Sequence, residues 1–173
     1  KGKGVHKAVT RYQQWAKHYQ YVLKLDIQRY FPSIDRALLK EKLCRQIKDR
    51  YLLSLLVLII DNGPNNDEGI VFYYPGDDIF SPLERHRGIP IGNLTSQFFA
   101  NFYLNEFDHW IKEVLRCKAY LRYVDDMVLM SNNKTELQLI KQKISQRLID
   151  ERLSLHPKKQ RLSQTREGLD LLG

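Results

Sequence analysis

The feature that most constrains the fold is a pair of adjacent acids between two apolar runs. Residues 119–124 and 127–130 are rich in strand-forming side chains, and Asp125 and Asp126 lie between them. Two such runs joined by two turn-favouring residues predict a β-hairpin with both acids at its tight turn. The chain is therefore expected to contain an antiparallel sheet with two exposed carboxylates at one end.

The rest of the chain supplies further strands and several helices. Residues 21–27 predict a strand that ends at Asp26, and turn-forming residues across 61–88 indicate an excursion that contains a hairpin with a strand at 70–74. Helical spacing of apolar residues predicts helices over 8–19, 38–47, 51–60, 99–114 and 137–148. Basic residues stand between the apolar residues of the first helix. Short strands are expected at 153–155 and 169–171. Ser33 or Asp35 can cap the second helix. This order predicts an α+β fold, an antiparallel sheet with helices on one face and the other face open to a ligand.

Composition limits the classes of function. The 173 residues suit one domain, and 28 Lys and Arg against 20 Asp and Glu give a formal charge of +8. That balance favours a polyanionic partner such as nucleic acid, although basic surfaces also serve solubility. Cys44 and Cys117 are far apart, which argues against a zinc site or a disulfide framework, and both are predicted to be buried thiols. No signal peptide or spanning segment is recognised, so a cytoplasmic protein without a membrane partner is expected.

Three carboxylates are candidates for catalysis. Asp26 joins Asp125 and Asp126 if the first strand lies beside the hairpin. Carboxylates that converge repel one another unless a cation neutralises them, and Mg²⁺ favours a few carboxylates with phosphates and water. Two such ions about 3.5–4 Å apart would activate a primer 3′-hydroxyl and hold a nucleotide triphosphate. The alternative is a solvated turn, where Asp pairs are common.

Five motifs resemble those of reverse transcriptases. Tyr123-Val124-Asp125-Asp126 resembles the family's Tyr-x-Asp-Asp signature, and residues 25–35, 88–97, 155–159 and 168–173 are similar to its other motifs in the same order. The resemblance implies a polymerase palm with an RRM-like core. It also implies one palm domain over 1–173, with residues 1–20 a basic helix from partial fingers, residues 61–88 the hairpin excursion, and the thumb absent. The implied activity is that of an RNA-directed DNA polymerase.

The resemblance assigns roles to individual residues. Asp26 and Asp125 would be the main ligands of two Mg²⁺ ions, which Mn²⁺ can replace, with Asp126 assisting and the Ile27 carbonyl completing one site. The backbone amides near Arg29 and Tyr30 would meet the triphosphate, and Lys158 or its neighbour Lys159 would lie near the departing pyrophosphate. The other expected nucleotide contacts are Phe31, Pro90, Ile91 and Gly92, and the expected nucleic-acid contacts are Tyr123, Asn93, Gln97, Lys7 and Arg11.

Two positions bear on substrate selection. Phe31 falls on the family's steric-gate position, where a bulky ring disfavours a ribose hydroxyl. Ile91 stands where most members of the family carry Gln, a departure that resembles the enzymes of diversity-generating retroelements, which copy template adenines with errors. Isoleucine offers shape alone where glutamine can hydrogen-bond, so weaker discrimination is expected.

The implied partners are an RNA template, a DNA primer and deoxynucleotides, with room for an accessory nucleic-acid-binding protein; the sequence gives no oligomeric state. Three alternatives stay open. An RNA-dependent RNA polymerase shares the palm, but Phe31 argues against it. A noncatalytic RNA-binding module could use an open four-stranded sheet for stacking. Within the family, retron, group II intron and phage-defence enzymes are further candidates.

Overall fold

The computed structural model describes residues 5–63, 73–90 and 93–167. The chain forms two compact units. The sheet unit comprises Lys1–Gln28, Glu106–Arg147 and Ser154–Gly173, and the helical unit comprises Arg29–Asn105 and Leu148–Leu153. In chain order the elements are α1 (Val5–Ala16), β1 (Tyr21–Ile27), α2 (Tyr30–Ser33), α3 (Arg36–Gln46), α4 (Arg50–Asp61), α5 (Ser81–Glu84), α6 (Leu94–Tyr103), α7 (Asn105–Glu113), β2 (Ala119–Tyr123), β3 (Asp126–Ser131), α8 (Lys134–Asp150), β4 (Leu155–Gln164) and a 3-10 turn (Thr165–Glu167).

Four strands form one antiparallel sheet in the order β2-β3-β1-β4. The predicted α+β class is therefore confirmed, and with it the hairpin of β2 and β3. The prediction was wrong in one detail, because only Asp125 lies in the turn. Val124 and Asp125 form the two-residue loop that closes the hairpin. Asp126 is the first residue of β3 and pairs with Tyr123 on β2 and with Asp26 on β1.

The acids share a sheet face with part of the hydrophobic core. Side chains alternate along a strand, so Val22 points to the same face as Asp26, and Val128 points to the same face as Asp126. At the end of this face away from the acids, Tyr12 of α1 forms a buried cluster with Val22, Ala119, Val128 and Met130, and Trp15 packs against it. The face expected to be open is therefore covered by α1 over part of its length.

The opposite face carries the larger apolar side chains. Leu23, Leu25, Met127 and Leu129 are all essentially inaccessible to solvent, and they alternate with the residues of the acid-bearing face. Burial of apolar surface is the main favourable term in folding. The register of β1 and β3 is therefore fixed, because a slip of one residue would exchange the two faces.

Helix N-caps and buried ion pairs organise the helical unit. Asp35 caps α3 by accepting a hydrogen bond from Leu38 N, and Asp49 caps α4 through Tyr51 N and Leu52 N. Asp35 is also fully buried, with its Oδ2 at 3.2 Å from Arg85 Nε and 2.6 Å from Arg152 Nη1. This carboxylate therefore joins the start of α3 to the chain after α5 and to the turn after α8.

Several predicted boundaries differ from the structure. The helix expected over 99–114 is two helices, because Leu104 leaves the helical conformation between α6 and α7. The strand expected at 153–155 begins at Leu155 and runs for ten residues. Cys44 is exposed and Cys117 is partly exposed, so the prediction of buried thiols was wrong.

Some predictions fall partly or wholly outside the described residues. Those outside are residues 64–72 of the hairpin excursion, Ile91, Gly92 and the strand expected at 169–171. Residues 73–88 contain a turn and the short helix α5, which the sequence analysis did not predict. Among the helices of the described ranges, each is too short or too polar to cross a lipid bilayer.

Candidate active site

The sheet unit brings Asp26 and Asp126 together. The two residues are direct partners across the antiparallel pair of β1 and β3. Asp125 adjoins them in the hairpin turn, and its carbonyl oxygen accepts a hydrogen bond from Ile27 N at 3.2 Å. Three carboxylates predicted from separate sequence segments therefore lie at one end of the sheet.

Two lysines lie beside the paired acids. Lys24 Nζ is 3.5 Å from Asp126 Oδ1, and Lys159 Nζ is 3.2 Å from Asp26 Oδ2. Like charges directly opposite on neighbouring strands destabilise a sheet. The two ammonium groups offset that repulsion, so the acids are held close together with compensated charge.

The carboxyl of Asp125 has a raised pKa. Partial burial raises the pKa of its carboxyl, and the neighbouring Asp26 and Asp126 raise the pKa further, while its own backbone amide and Lys159 act in the opposite direction. Both upward effects disfavour the charged carboxylate. A divalent cation would relieve them, which is the electrostatic setting expected of a metal ligand.

The turn itself is strained and braced. Val124 has φ of 55°, a left-handed conformation that is costly for a β-branched residue. Its carbonyl accepts a hydrogen bond from Arg122 Nη1 at 2.7 Å, and the same guanidinium donates to both oxygens of Asp108 at 2.9 and 2.7 Å. A rigid fork on α7 and β2 therefore fixes the peptide that precedes Asp125.

The acids are of the type that binds a divalent metal ion, but they are not arranged around an ion. Carboxylate oxygens are the ligands that Mg²⁺ prefers, and Asp26, Asp125 and Asp126 supply them. Across 5–63, 73–90 and 93–167, however, no three Asp, Glu, His or Cys side chains are arranged closely enough to enclose an ion. Asp26 and Asp126 are instead paired with lysines. The donor set is present, and its carboxylates would have to turn toward an ion.

The predicted nucleotide contacts in the helical unit are partly gathered. Ile89 N donates to the Phe31 carbonyl at 3.1 Å and Gly88 N donates to Ile34 O at 2.8 Å, so the chain leading to Pro90 lies against the segment that carries Phe31. Gly88 has φ of 89°, which favours glycine there. Phe31 is half-buried.

The remaining contacts of the helical unit differ in exposure. Arg29 is exposed and adopts a left-handed φ of 49° at the start of α2, whereas the Tyr30 side chain is buried and donates to Ala100 O at 2.5 Å. Only the backbone of Tyr30 is therefore a candidate for contact with a triphosphate. Asn93 and Gln97 are exposed on the first turn of α6.

The other predicted residues lie in the sheet unit. Lys159, not Lys158, has its ammonium on Asp26, and neighbouring residues of a strand point to opposite faces; the geometry thus favours Lys159. Tyr123 is 42% exposed at the end of β2. Lys7 and Arg11 are exposed on α1, where the Arg11 guanidinium lies 5.8 Å from the centre of the Trp15 ring.

Sequence reasoning missed three residues of the site. Lys24 could have been found, because a residue two before Asp26 on a strand points to the same face. Arg122 and Asp108 gave no local signal, since their pairing joins β2 to a helix 14 residues earlier.

The family model for Reverse transcriptase (RNA-dependent DNA polymerase) matches residues 1–173. The chain belongs to this family. The resemblance drawn from the five motifs is therefore confirmed at the level of the reverse transcriptase family. The narrower likeness to diversity-generating retroelements is not shown and stays a prediction.

A retron reverse transcriptase aligns with most of this chain. It is 29% identical over 161 residues to the retron Ec83 reverse transcriptase of Escherichia coli, an alignment that covers 84% of the chain and 46% of that protein. The chain thus spans about half the length of the curated relative that it matches.

Solved telomerase structures from Candida tropicalis share the fold. The apo enzyme truncated from its C-terminal domain matches with a TM-score of 0.57 at 15% identity, covering 94% of this chain and 36% of that one. The complex with the TWJ fragment of telomeric RNA gives a TM-score of 0.62 at 16% identity, with coverage of 94% and 29%. At these identities the likeness supports the fold alone, and it agrees with a polymerase palm.

Proposed function

We propose that this chain provides the catalytic palm of an RNA-directed DNA polymerase. The observation that carries the proposal is the pairing of Asp26 with Asp126 across β1 and β3, with Asp125 in the adjoining turn. Membership of the reverse transcriptase family supports the same reaction. The proposed substrates are an RNA template, a DNA primer and deoxynucleotides.

The three acids have distinct proposed roles. Asp26 and Asp125 bind divalent ions, Mg²⁺ or Mn²⁺, with Asp126 assisting and the Ile27 carbonyl completing one site. Two bound ions would stabilise the attacking 3′-oxygen and the leaving pyrophosphate. The raised pKa of Asp125 favours this assignment, because a cation would offset the burial and the repulsion that disfavour its charge. Arg122 keeps the turn in place through Val124 O.

Two further residues have proposed roles, one in each unit. Lys159 has an exposed ammonium next to Asp26 and would stabilise charge on the departing pyrophosphate. Phe31 would exclude a ribose hydroxyl, and the hydrogen bond from Ile89 N to its carbonyl supports its place beside the loop that leads to Pro90.

Primer extension tests this proposal against the noncatalytic RNA-binding alternative. The chain is incubated with an RNA template, a DNA primer, deoxynucleotides and Mg²⁺ or Mn²⁺, in parallel with Asp125→Ala and with Asp49→Ala, which removes an exposed acid at the N-cap of α4. The experiment is repeated with the remaining segments of a full-length reverse transcriptase joined to the chain, because the chain spans about half of its relative. We expect extension that needs the metal and Asp125 but not Asp49. RNA binding without extension, unchanged in Asp125→Ala, would favour the binding module.

We also propose that Ile91 lowers fidelity at template adenine. The support is its side chain, which cannot hydrogen-bond where most of the family carries Gln. Misincorporation opposite adenine is measured for the native enzyme and for Ile91→Gln. We expect the glutamine to reduce misincorporation at adenine more than at other bases; an unchanged error spectrum would contradict the proposal.

A further inference from the structure

The second residue before Asp26 lies on the same face of the sheet as the acids. Lys24 and Asp26 are two residues apart on β1 and therefore point to the same face. The strand partner of Lys24 on β3 is Val128, two residues from Asp126. Lys24 and Asp126 are therefore diagonal neighbours, a position from which a long side chain reaches across strands. The distance of 3.5 Å between Lys24 Nζ and Asp126 Oδ1 shows that it does.

Burial makes this pair more influential than the other lysine contact. The side chains of Lys24 and Asp126 are only 20% and 17% exposed, whereas Lys159 on Asp26 is 63% exposed. Solvent and salt screen an exposed ion pair more strongly than a partly buried one. Lys24 thus compensates the charge of Asp126 more strongly than Lys159 compensates that of Asp26.

We propose that Lys24 is a positioning residue that makes Asp126 a weaker ligand of the divalent cation than Asp125. Its ammonium compensates Asp126 and weakens the hold of that carboxylate on a divalent cation, so that Asp26 and Asp125 become the stronger ligands. The inference rests on the proposed function, since it concerns the same metal site.

The position of Lys24 has two consequences. Without a metal, its charge reduces the repulsion between Asp26 and Asp126, which face each other on adjacent strands. When a metal is bound, the same ammonium would compete with the ion for the Asp126 carboxylate. Lys24 therefore stabilises the metal-free sheet and lowers the affinity of the cluster for divalent cations.

The test measures Mn²⁺ binding, not polymerisation. Mn²⁺ is titrated into the chain and the free ion is followed by electron paramagnetic resonance, for the native sequence and for Lys24→Met, which keeps an unbranched stem. We expect binding about tenfold tighter in Lys24→Met, because Asp126 then no longer has to exchange the ammonium at 3.5 Å for the ion, and a partly buried ion pair at this distance is worth about that factor in an equilibrium constant. Lys24→Gln provides a second neutral variant should Lys24→Met fold poorly.

Two controls separate charge from other effects. Lys24→Arg keeps the positive charge and is expected to bind Mn²⁺ with an affinity close to that of the native chain. Lys40→Met removes a lysine that pairs with Asp61 at 2.8 Å in the helical unit, and it is expected to leave Mn²⁺ affinity unchanged.

A double variant tests whether Lys24 acts through Asp126. In an Asp126→Asn background the substitution Lys24→Met should change Mn²⁺ affinity by less than about threefold, because the compensated carboxylate is gone. A full tenfold effect in that background would show that the charge of Lys24 acts directly on the ion. It would overturn the proposal that Lys24 weakens Asp126 as a ligand. So would unchanged or weaker binding in Lys24→Met alone.

Failure of this inference is distinguishable from failure of the proposed function. If the native chain binds Mn²⁺ and Asp125→Ala weakens that binding, the metal site stands, and the Lys24 variants judge the inference alone. If Asp125→Ala binds Mn²⁺ as the native chain does, the proposed metal site fails and the inference fails with it.

Discussion

The buried carboxylate of Asp35 should contribute far more stability than an otherwise similar helix cap. Asp35 and Asp49 each begin a helix by accepting hydrogen bonds from backbone amides. Asp49 is exposed, whereas Asp35 is fully buried and also pairs with Arg85 and Arg152. Asp49→Ala is thus a matched control that removes a cap alone, and Asp35→Ala removes a cap and two ion pairs.

The expected costs follow from these contacts. Loss of an Asp cap costs about 1 kcal/mol, and removal of one partner from a buried ion pair costs about 3–5 kcal/mol. Arg85 keeps its contact with Asp77, so the lower end applies and Asp35→Ala should cost about 4 kcal/mol in all. For a chain of this size that is a fall in Tm of about 8–16 °C, against about 2–4 °C for Asp49→Ala.

Thermal and urea unfolding of the two variants, followed by circular dichroism, measure the difference. The reasoning predicts that the free energy of unfolding falls by about 3 kcal/mol more in Asp35→Ala than in Asp49→Ala. Equal losses, within about 0.5 kcal/mol, would refute the claim that the buried ion pairs stabilise the helical unit.

Three further predictions concern the candidate site. Because burial and two neighbouring acids raise the pKa of Asp125, the folded state loses stability as pH rises through that pKa; Asp125→Asn should therefore raise Tm in EDTA at pH 8, and the gain should shrink toward pH 4. Val124→Gly should raise Tm by up to about 4 °C, since relief of about 1–3 kcal/mol of strain at φ of 55° exceeds the entropic cost of glycine; a lower Tm would show an unstrained turn. Phe31→Val should increase ribonucleotide incorporation in primer extension, and unchanged sugar selectivity would count against the steric-gate assignment.

Periodicity predicted the strands and most helices because these depend on local patterns. The hairpin around Asp125, the strand before Asp26 and the cap at Asp35 are all encoded within a few residues. The break at Leu104 was missed because apolar spacing continues through it, and only the backbone reveals that α6 ends there. The ten residues of β4 were missed because its middle is polar and exposed.

The composition of the site was predictable, but its charge balance was not. The three acids came from strand ends and from the order of the motifs. Their contacts with Lys24 and Lys159, and the choice of Lys159 over Lys158, depend on strand register, which the sequence does not display. The bracing of Val124 by Arg122 depends on a helix that precedes the hairpin. The packing of α1 on the acid-bearing face likewise arises from tertiary structure.

Single-turnover incorporation of one deoxynucleotide on an RNA template tests the central claim most directly. Asp26→Asn, Asp125→Asn and Asp126→Asn are compared with the native enzyme and with Asp49→Asn, all in the protein at its natural length and at saturating Mg²⁺. The account predicts that Asp26→Asn and Asp125→Asn each slow incorporation by at least about 100-fold, equivalent to about 2.7 kcal/mol of transition-state stabilisation, that Asp126→Asn slows it less, and that Asp49→Asn leaves it unchanged. Native rates in Asp26→Asn or Asp125→Asn, with each variant folded, would contradict the claim that these acids form the polymerase centre.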